Sequence, residues 1–280
     1  MAKLIKAYEN KNEAIYDARQ DASQLQRTYF NVIRLKAGET YKFSLSNMES
    51  VAVLMSGSAD IQVEDQVFDE VGKRDNIWSG IADSVYCPVG SSVTLTGRTV
   101  ECEIAVAGGA CDTKFDAFRV TPDEVEMVDV GSPETHSRRR IYHILGQNAA
   151  GRAGNLLVSE LYADPGCWSG YPPHKHDEAR EGETAHEELY HYRFQPESGF
   201  GGQYHYERDG DGNVYKTENG DTFVFNSGYH PTVTSPGHEE YIFTILVGRD
   251  ERSLVQHFQV EHAHLMQGIP GIAAMRDKFK

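Results

Sequence analysis

The first 135 residues of the chain contain no histidine; all twelve histidines lie from His136 onward. A site built on several imidazoles is therefore confined to the second half. Basic residues are scarce as well: 27 Lys and Arg stand against 42 Asp and Glu, a formal net charge of −15. Nucleic acid, whose phosphates attract basic surfaces, is a poor partner for such a chain. An anionic substrate would need a local positive charge set against the overall field. No apolar run approaches the ~18 residues of a membrane helix. The charged opening MAKLIKAYENKNEAIYDARQDASQ lacks the apolar core of a secretory signal. No membrane and a cytoplasmic location are expected. Cys87, Cys102, Cys111 and Cys167 form no C-x-x-C pair, so a thiolate zinc site is disfavoured and free thiols are expected. Cys167 reads as a small packing residue.

What the chain does have is strand rhythm. TYFNVIRL (28–35), TYKFSL (40–45), SVAVLMSG (50–57), ADIQVED (59–65), SSVTLTG (91–97) and VECEIAVAG (100–108) are short, β-rich and bounded by turn residues. A second series follows from Arg140: RRIYHIL, NLLVSELYA (155–163), ELYHYRF (188–194), GQYHYER (202–208), DTFVFNS (221–227), YIFTILVG (241–248) and LVQHFQVE (254–261). Short strands at regular spacing predict an all-β antiparallel sandwich or barrel in each half. The expected domains are 1–135 and 136–280, alike enough in rhythm to suggest a duplication. Helix signals are few. The first 25 residues and TPDEVEMV (121–128), with its Thr cap and following Pro, are the best candidates.

The chemistry concentrates in YPPHKHDEAREGETAHEELYHYRF. His174 and His176 are two apart, so on a strand both face one way and Lys175 the other. The next strand places Glu188, Tyr190 and Tyr192 on one face and Leu189, His191 and Arg193 on the other. His230 follows in NGDTFVFNSGYHP, where Gly228 permits the turn. Glu187 is the rival to Glu188, which shares its parity with the two tyrosines. An H-x-H alone is weak and is more often a polar surface pair than a metal site. Joined by Glu188 and His230 it becomes a four-ligand set. Three imidazoles and one carboxylate suit Zn, Mn, Fe, Co or Ni, and suit Ca or Mg poorly. The remaining histidines after His143, namely His186, His191, His205, His238, His257, His262 and His264, lack such a frame and read as solvent-facing or hydrogen-bonded.

GCWSGYPPHKHD, ESGFGGQYHYE, NGDTFVFNSGYHP and the aromatic strand ending in YIFTILVGRD resemble the 5-deoxy-glucuronate isomerases of inositol catabolism, and RRRIYHIL and NLLVSELY fit the same pattern. The resemblance is sharpest over residues 115–250. It implies a bicupin of two jelly-roll barrels, the N-terminal one degenerate and the C-terminal one holding the metal. It also implies aldose–ketose isomerisation of an open-chain sugar acid, chemistry shared with the related deoxy-hexosulose-uronate ketol-isomerases. Two departures stand out. Asn226-Ser227 replaces the usual Pro-Arg before GYHP, and Ile242 and Thr244 replace Tyr and Asn in a strand that lines the barrel. They bear on which substrate is taken more than on the reaction.

Such a reaction needs a base near the carbon that loses its proton. Tyr171, Glu187, Tyr190, Lys175 and Tyr229 are the candidates close in the chain, and a metal-bound hydroxide is another. A cation for the substrate carboxylate could be Arg193, Arg249, Lys175, Arg139 or Arg140, although exposed Arg and Lys are the norm. Ile242 and Thr244 are expected to line the substrate pocket. Other readings of the scaffold are an isomerase of a different sugar or sugar acid, an iron dioxygenase and a non-catalytic sugar-binding protein. Cupins often pair, so a homo-oligomer is a further expectation.

Overall fold

The computed structural model describes residues 2–278, and its described residues divide into two compact β units. One unit takes Glu9–Glu126 and Asn148–Leu156; the other takes the N-terminal residues through Tyr8, then Met127–Gln147, then the chain from Leu157 onward. This division differs from a single cut after residue 135, and local bonds give the reason.

The first unit has a six-stranded sheet in the order Phe118–Val120, Ser84–Cys87, Met48–Ser56, Glu101–Ala110, Thr28–Lys36, Tyr16–Asp17. A four-stranded sheet, Thr40–Ser44, Ser92–Gly97, Ala59–Val63, Gln66–Val71, completes it. Residues 148–156 belong here because the buried carboxylate of Glu49 accepts the backbone N–H groups of Gly154 (2.7 Å), Asn155 (2.6 Å) and Leu156 (2.9 Å). The Tyr86 hydroxyl donates to the same carboxylate at 2.5 Å. Four donors on one buried acid replace its lost hydration.

In the second unit a seven-stranded sheet runs Ala2–Ile5, Thr222–Phe225, His186–Gln195, Glu239–Gly248, Leu156–Ala163, Arg139–Leu145, Glu126–Val130. The first strand of the chain thus closes the edge of the last barrel, with Ala2 opposite Phe225 and Ile5 opposite Thr222. Just beyond it the Ala7 N–H donates to Asp221 (2.8 Å), which also binds the Lys6 ammonium (2.6 Å). A four-stranded sheet, Trp168–Ser169, Thr232–Thr234, Phe200–His205, Asn213–Glu218, and the pair His174–Lys175 with His257–Phe258 complete the unit. The Tyr192 hydroxyl donates across the interior to Gln203 (2.7 Å), and Tyr215 packs on Phe223.

Strand parity sorts the side chains. On His186–Gln195 the alternate residues Glu188, Tyr190, Tyr192 and Phe194 lie opposite Leu246, Thr244, Ile242 and Glu240 of the neighbouring strand. Tyr190, Tyr192, Phe194, Phe223, Phe225 and Ile242 form one apolar cluster. A second is closed by Ile269, Ile272 and Met275 from the C-terminal end, where the α-helix Ile272–Lys278 lies.

The all-β class holds, while several local expectations change. Residues 2–25 are not helical; they hold the strands Ala2–Ile5 and Tyr16–Asp17 between turns, and Met1 lies outside the described residues. TPDEVEMV yields only a 3-10 turn, Pro122–Glu124, before the strand Glu126–Val130 begins. Thr121 and Glu124 form the capping box, but the alternating residues that follow favour pairing over another helical turn. LVQHFQVE pairs only at His257–Phe258 and continues as the 3-10 helix Val260–Gln267. All four cysteines are buried free thiols. No helix among the described residues is long and apolar enough to cross a membrane.

Candidate metal centre

His176, Glu188 and His230 offer ligand atoms that all lie within 4.8 Å of one another. All three side chains are buried. His176 Nε2 is 2.8 Å and His230 Nε2 3.3 Å from the same oxygen, Glu188 Oε2. Each group comes from a different local device. His176 follows the short strand His174–Lys175, and Glu188 sits near the start of a long one. His230 is aimed by Gly228 at φ +82°, where a Cβ would meet the Tyr206 carbonyl at 3.0 Å. The Gly228 N–H is held by Asp177 (2.7 Å), and its carbonyl lies 2.9 Å from His230 Nδ1.

That last contact fixes the tautomer. With the Nδ1 proton on a carbonyl, the Nε2 lone pair points into the site. His174 repeats the arrangement: its Nδ1 lies 3.0 Å from the Pro172 carbonyl. His174 stands beside the trio, its ring 5.0 Å from that of His230, and its Nε2 is 3.0 Å from the Gln256 amide nitrogen.

The group fits a cation. His230 Nε2 is buried without a hydrogen-bond donor, and it faces a carboxylate oxygen, an arrangement that a positive ion between them relieves. Burial and the other imidazoles push His230 well down and His174 down to about 3. Both therefore stay neutral, the form a metal requires. In His176 burial opposes the charged form but the Glu188 carboxylate outweighs it, and the net direction is up. Nitrogen donors with one carboxylate select a divalent transition metal over Ca or Mg.

The site opens into a small cavity of about 50 Å³. His174, His176, Glu188, Tyr190, Thr244 and Gln256 supply its polar lining, together with Arg139 and Ser159. Ile141, Leu161, Leu246, Leu254 and Met275 supply much of the apolar wall.

Of the candidate bases only Tyr190 lines this cavity. Burial, then the Glu188 carboxylate, pushes its phenol well above the ordinary value, so it suits donating a hydrogen bond rather than taking a proton. Lys175 points the other way, bound to Asp177, Glu183 (2.9 Å) and Glu178 (3.2 Å). Those carboxylates outweigh burial and raise its pKa, which removes it as a base. Glu187 has the opposite parity to Glu188 and is not part of the lining. Tyr229 stacks on Tyr206 with ring centroids 5.5 Å apart. Tyr171 lies against Trp168 at 5.6 Å, packs behind the apolar wall of the cavity, and its carbonyl accepts from Arg139.

The candidate cations and specificity residues divide in the same way. Thr244 lines the cavity, whereas Ile242 is packed in the aromatic cluster and does not. Arg193 is engaged by His191 (3.1 Å) and Arg249 by the Asn226 carbonyl (3.2 Å), and neither reaches the cavity. Accordingly, Arg193→Ala and Arg249→Ala should each leave KM within about threefold of wild type; a larger rise for either in steady-state kinetics would put a guanidinium in the pocket that this geometry keeps out. Arg140 pairs with Glu239. Arg139, by contrast, is buried in the cavity wall. Gln256 is the lining residue the sequence did not mark: LVQHFQVE reads as a plain strand, and only its pairing beside His174 brings the amide in.

The KduI/IolB family profile matches residues 3–265. The chain belongs to the KduI/IolB family. Among its relatives are proteins named 5-deoxy-glucuronate isomerase. That of Shouchella clausii is 28% identical over 239 residues, 84% of this chain and 86% of the relative. That of Geobacillus thermodenitrificans is 32% identical over 224 residues, 78% of this chain and 79% of the relative. The crystal structure of an IolB-like protein from Salmonella typhimurium superposes with a TM-score of 0.85 at 30% identity, covering 94% of this chain and 98% of that one. Oxalate decarboxylase of Bacillus subtilis shares the cupin fold alone, at a TM-score of 0.63 and 13% identity, with 98% of this chain and 84% of that one covered. Within the family, then, this chain is an intramolecular oxidoreductase of the isomerase type on an all-β cupin scaffold.

Proposed function

We propose that the protein is a metal-dependent aldose–ketose isomerase that converts 5-deoxy-glucuronate to 5-dehydro-2-deoxy-gluconate in inositol catabolism. The observation that carries the metal dependence is the convergence of His176, His230 and Glu188 on one buried point in the wall of a cavity. The relatives' name supports the substrate.

His176, His230 and Glu188 would hold the ion, with His174 next to them as the fourth donor. When bound, the ion supplies Lewis acidity toward a carbonyl and its neighbouring hydroxyl. The chain's residues do the rest. Isomerisation moves one proton between adjacent carbons and another between their oxygens, with no net change in composition. The neutral Tyr190 hydroxyl, hydrogen-bonded to Glu188 in this structure, can donate to an oxygen on which negative charge develops once that carboxylate is taken up by the ion. Leu246, Leu254 and Met275 limit water around the reacting carbons, which strengthens each polar contact and keeps the transferred proton from bulk solvent. Gln256 and Thr244 offer hydrogen bonds to hydroxyl groups along the chain of the sugar.

The test is turnover of 5-deoxy-glucuronate followed by NMR with protein loaded in turn with Zn, Mn, Fe, Co and Ni. Appearance of the 2-deoxy-5-keto acid supports the reading. Its absence from protein holding one metal per chain sinks the substrate assignment.

A second reading, isomerisation of a different sugar acid, is favoured by one observation: Thr244 in the cavity wall, where the resembling sequences commonly carry Asn. Thr244→Asn separates the two. If the pocket is shaped for 5-deoxy-glucuronate, the larger amide lowers kcat/KM for it by about tenfold, roughly the worth of one displaced hydrogen bond. A rise in kcat/KM instead would favour the second reading.

A further inference from the structure

Arg139 is fully buried, and among the described residues its guanidinium has no acid beside it. Nη1 donates to the Ser137 carbonyl (2.8 Å) and Nη2 to the Tyr171 carbonyl (2.7 Å). Nε is buried with no partner among the described residues. The side chain lines the same cavity as His174, His176 and Glu188. Its charge is felt at His174 and Tyr190, which line that cavity with it. Cys167 is also close enough to interact, but burial pushes that thiol up and keeps it neutral, so it is no counter-ion.

A buried cation without an anion is costly, and desolvation alone pulls this guanidinium down to about 10. Two backbone carbonyls orient the fork and neutralise none of its charge. The other cations once considered are spoken for: Lys175 and Arg140 by carboxylates, Arg193 and Arg249 by partners outside the cavity. We propose that Arg139 is the group that receives the carboxylate of the substrate, and so selects acids over neutral sugars, from the wall of the cavity that holds the metal ligands. The arrangement answers the charge problem set by a chain of net charge −15: the attraction is local, desolvated and confined to one end of the bound molecule. The inference rests on the isomerase reading for the identity of that molecule, though not for its charge.

The experiment is calorimetric titration of metal-loaded protein with D-glucuronate and with D-glucuronamide, which differ in the charge at one carbon. Wild type should bind the acid at least about tenfold more tightly, the lower bound for hydrogen bonds to a charged group. Arg139→Met should lose about 10- to 100-fold for the acid and stay within about threefold for the amide. Arg139→Lys, which keeps the charge and loses the fork, should recover part of the preference. Equal binding of acid and amide by wild type, or no binding of the acid, overturns the proposal without recourse to a variant. Equal loss of both ligands in a folded Arg139→Met protein overturns it too, because it would mark a purely structural arginine. A preference for the acid in protein that turns over no sugar acid would leave this inference standing and remove the isomerase reading. Turnover without the preference would do the reverse.

Discussion

His176→Ala and Glu188→Gln should each lower kcat by on the order of 10³-fold, equivalent to about 4 kcal/mol of lost transition-state stabilisation. His230→Ala should follow them. The histidine substitutions each remove one of three buried ligand atoms that lie within 4.8 Å of one another, and Glu188→Gln replaces the anionic ligand of that trio by a neutral amide. Metal content measured on the purified variants should fall in step with activity. His174→Ala separates two roles for its imidazole. If His174 completes the ligand set when Gln256 releases it, metal content drops with the other three; if it serves only as a hydrogen-bond partner of Gln256, metal stays and KM rises. Full occupancy together with wild-type kcat in His176→Ala would disprove the assignment of the centre.

Glu240→Gln should stabilise the protein, and increasingly so as pH rises. Glu240 lies on the inner face of Glu239–Gly248, opposite Phe194, at the far end of the strand from Leu246. It is fully buried and neither carboxyl oxygen has a hydrogen-bond partner among the described residues. Gly201 comes close: a Cβ there would meet Glu240 Oε1 at 2.7 Å and Thr217 Oγ1 at 2.7 Å. Burial pushes the carboxyl up to about 8 from an ordinary 4.5. Because the folded value lies above the unfolded one, the folded chain keeps a proton that the unfolded chain releases. The stability of wild type is undiminished on this account below about pH 4.5, falls as pH rises toward about 8, and levels beyond. The full span is on the order of 5 kcal/mol. The neutral amide carries none of this dependence. Urea unfolding of both proteins at about pH 5 and about pH 9 should therefore show a difference that grows by several kcal/mol. A difference that stays constant with pH would mean that the carboxyl ionises in place without penalty, and would sink the argument.

The candidate metal centre was legible because strand parity is a local property. His174 and His176 two apart, and Glu188 in phase with Tyr190 and Tyr192, keep their relations whatever the rest of the chain does. The same parity placed Lys175 on the opposite face, away from the chemistry, although charge alone made it a candidate base. Arg139 could not be read in this way. In RRRIYHIL three arginines look alike, and only the tertiary arrangement sends one into the barrel while Arg138 and Arg140 pair with surface acids. Glu240, in GHEEYIF, reads as the polar edge of a turn until its neighbour on the next strand is known. Ile242 and Thr244 have the same phase, yet the cavity ends between them. The opening residues are only a helix candidate in sequence because charge without alternation leaves no strand signal, and the partner that makes Ala2–Ile5 a strand lies at Thr222–Phe225. The C-terminal helix Ile272–Lys278 is too short to announce itself by periodicity.

The pairing of Ala2–Ile5 with Thr222–Phe225 also orders events at the ribosome. Synthesis runs from the N-terminus, so the first strand emerges long before the strand it pairs with. The unit built largely from Glu9–Glu126 has most of its chain in hand early and can collapse while translation continues. The leading strand must meanwhile wait as an unpaired edge, exposed to whatever other strands are nearby. The barrel that carries the histidines is in this sense the last to be finished and the first to be begun, and a nascent chain halted before Phe225 would leave its leading strand without its place.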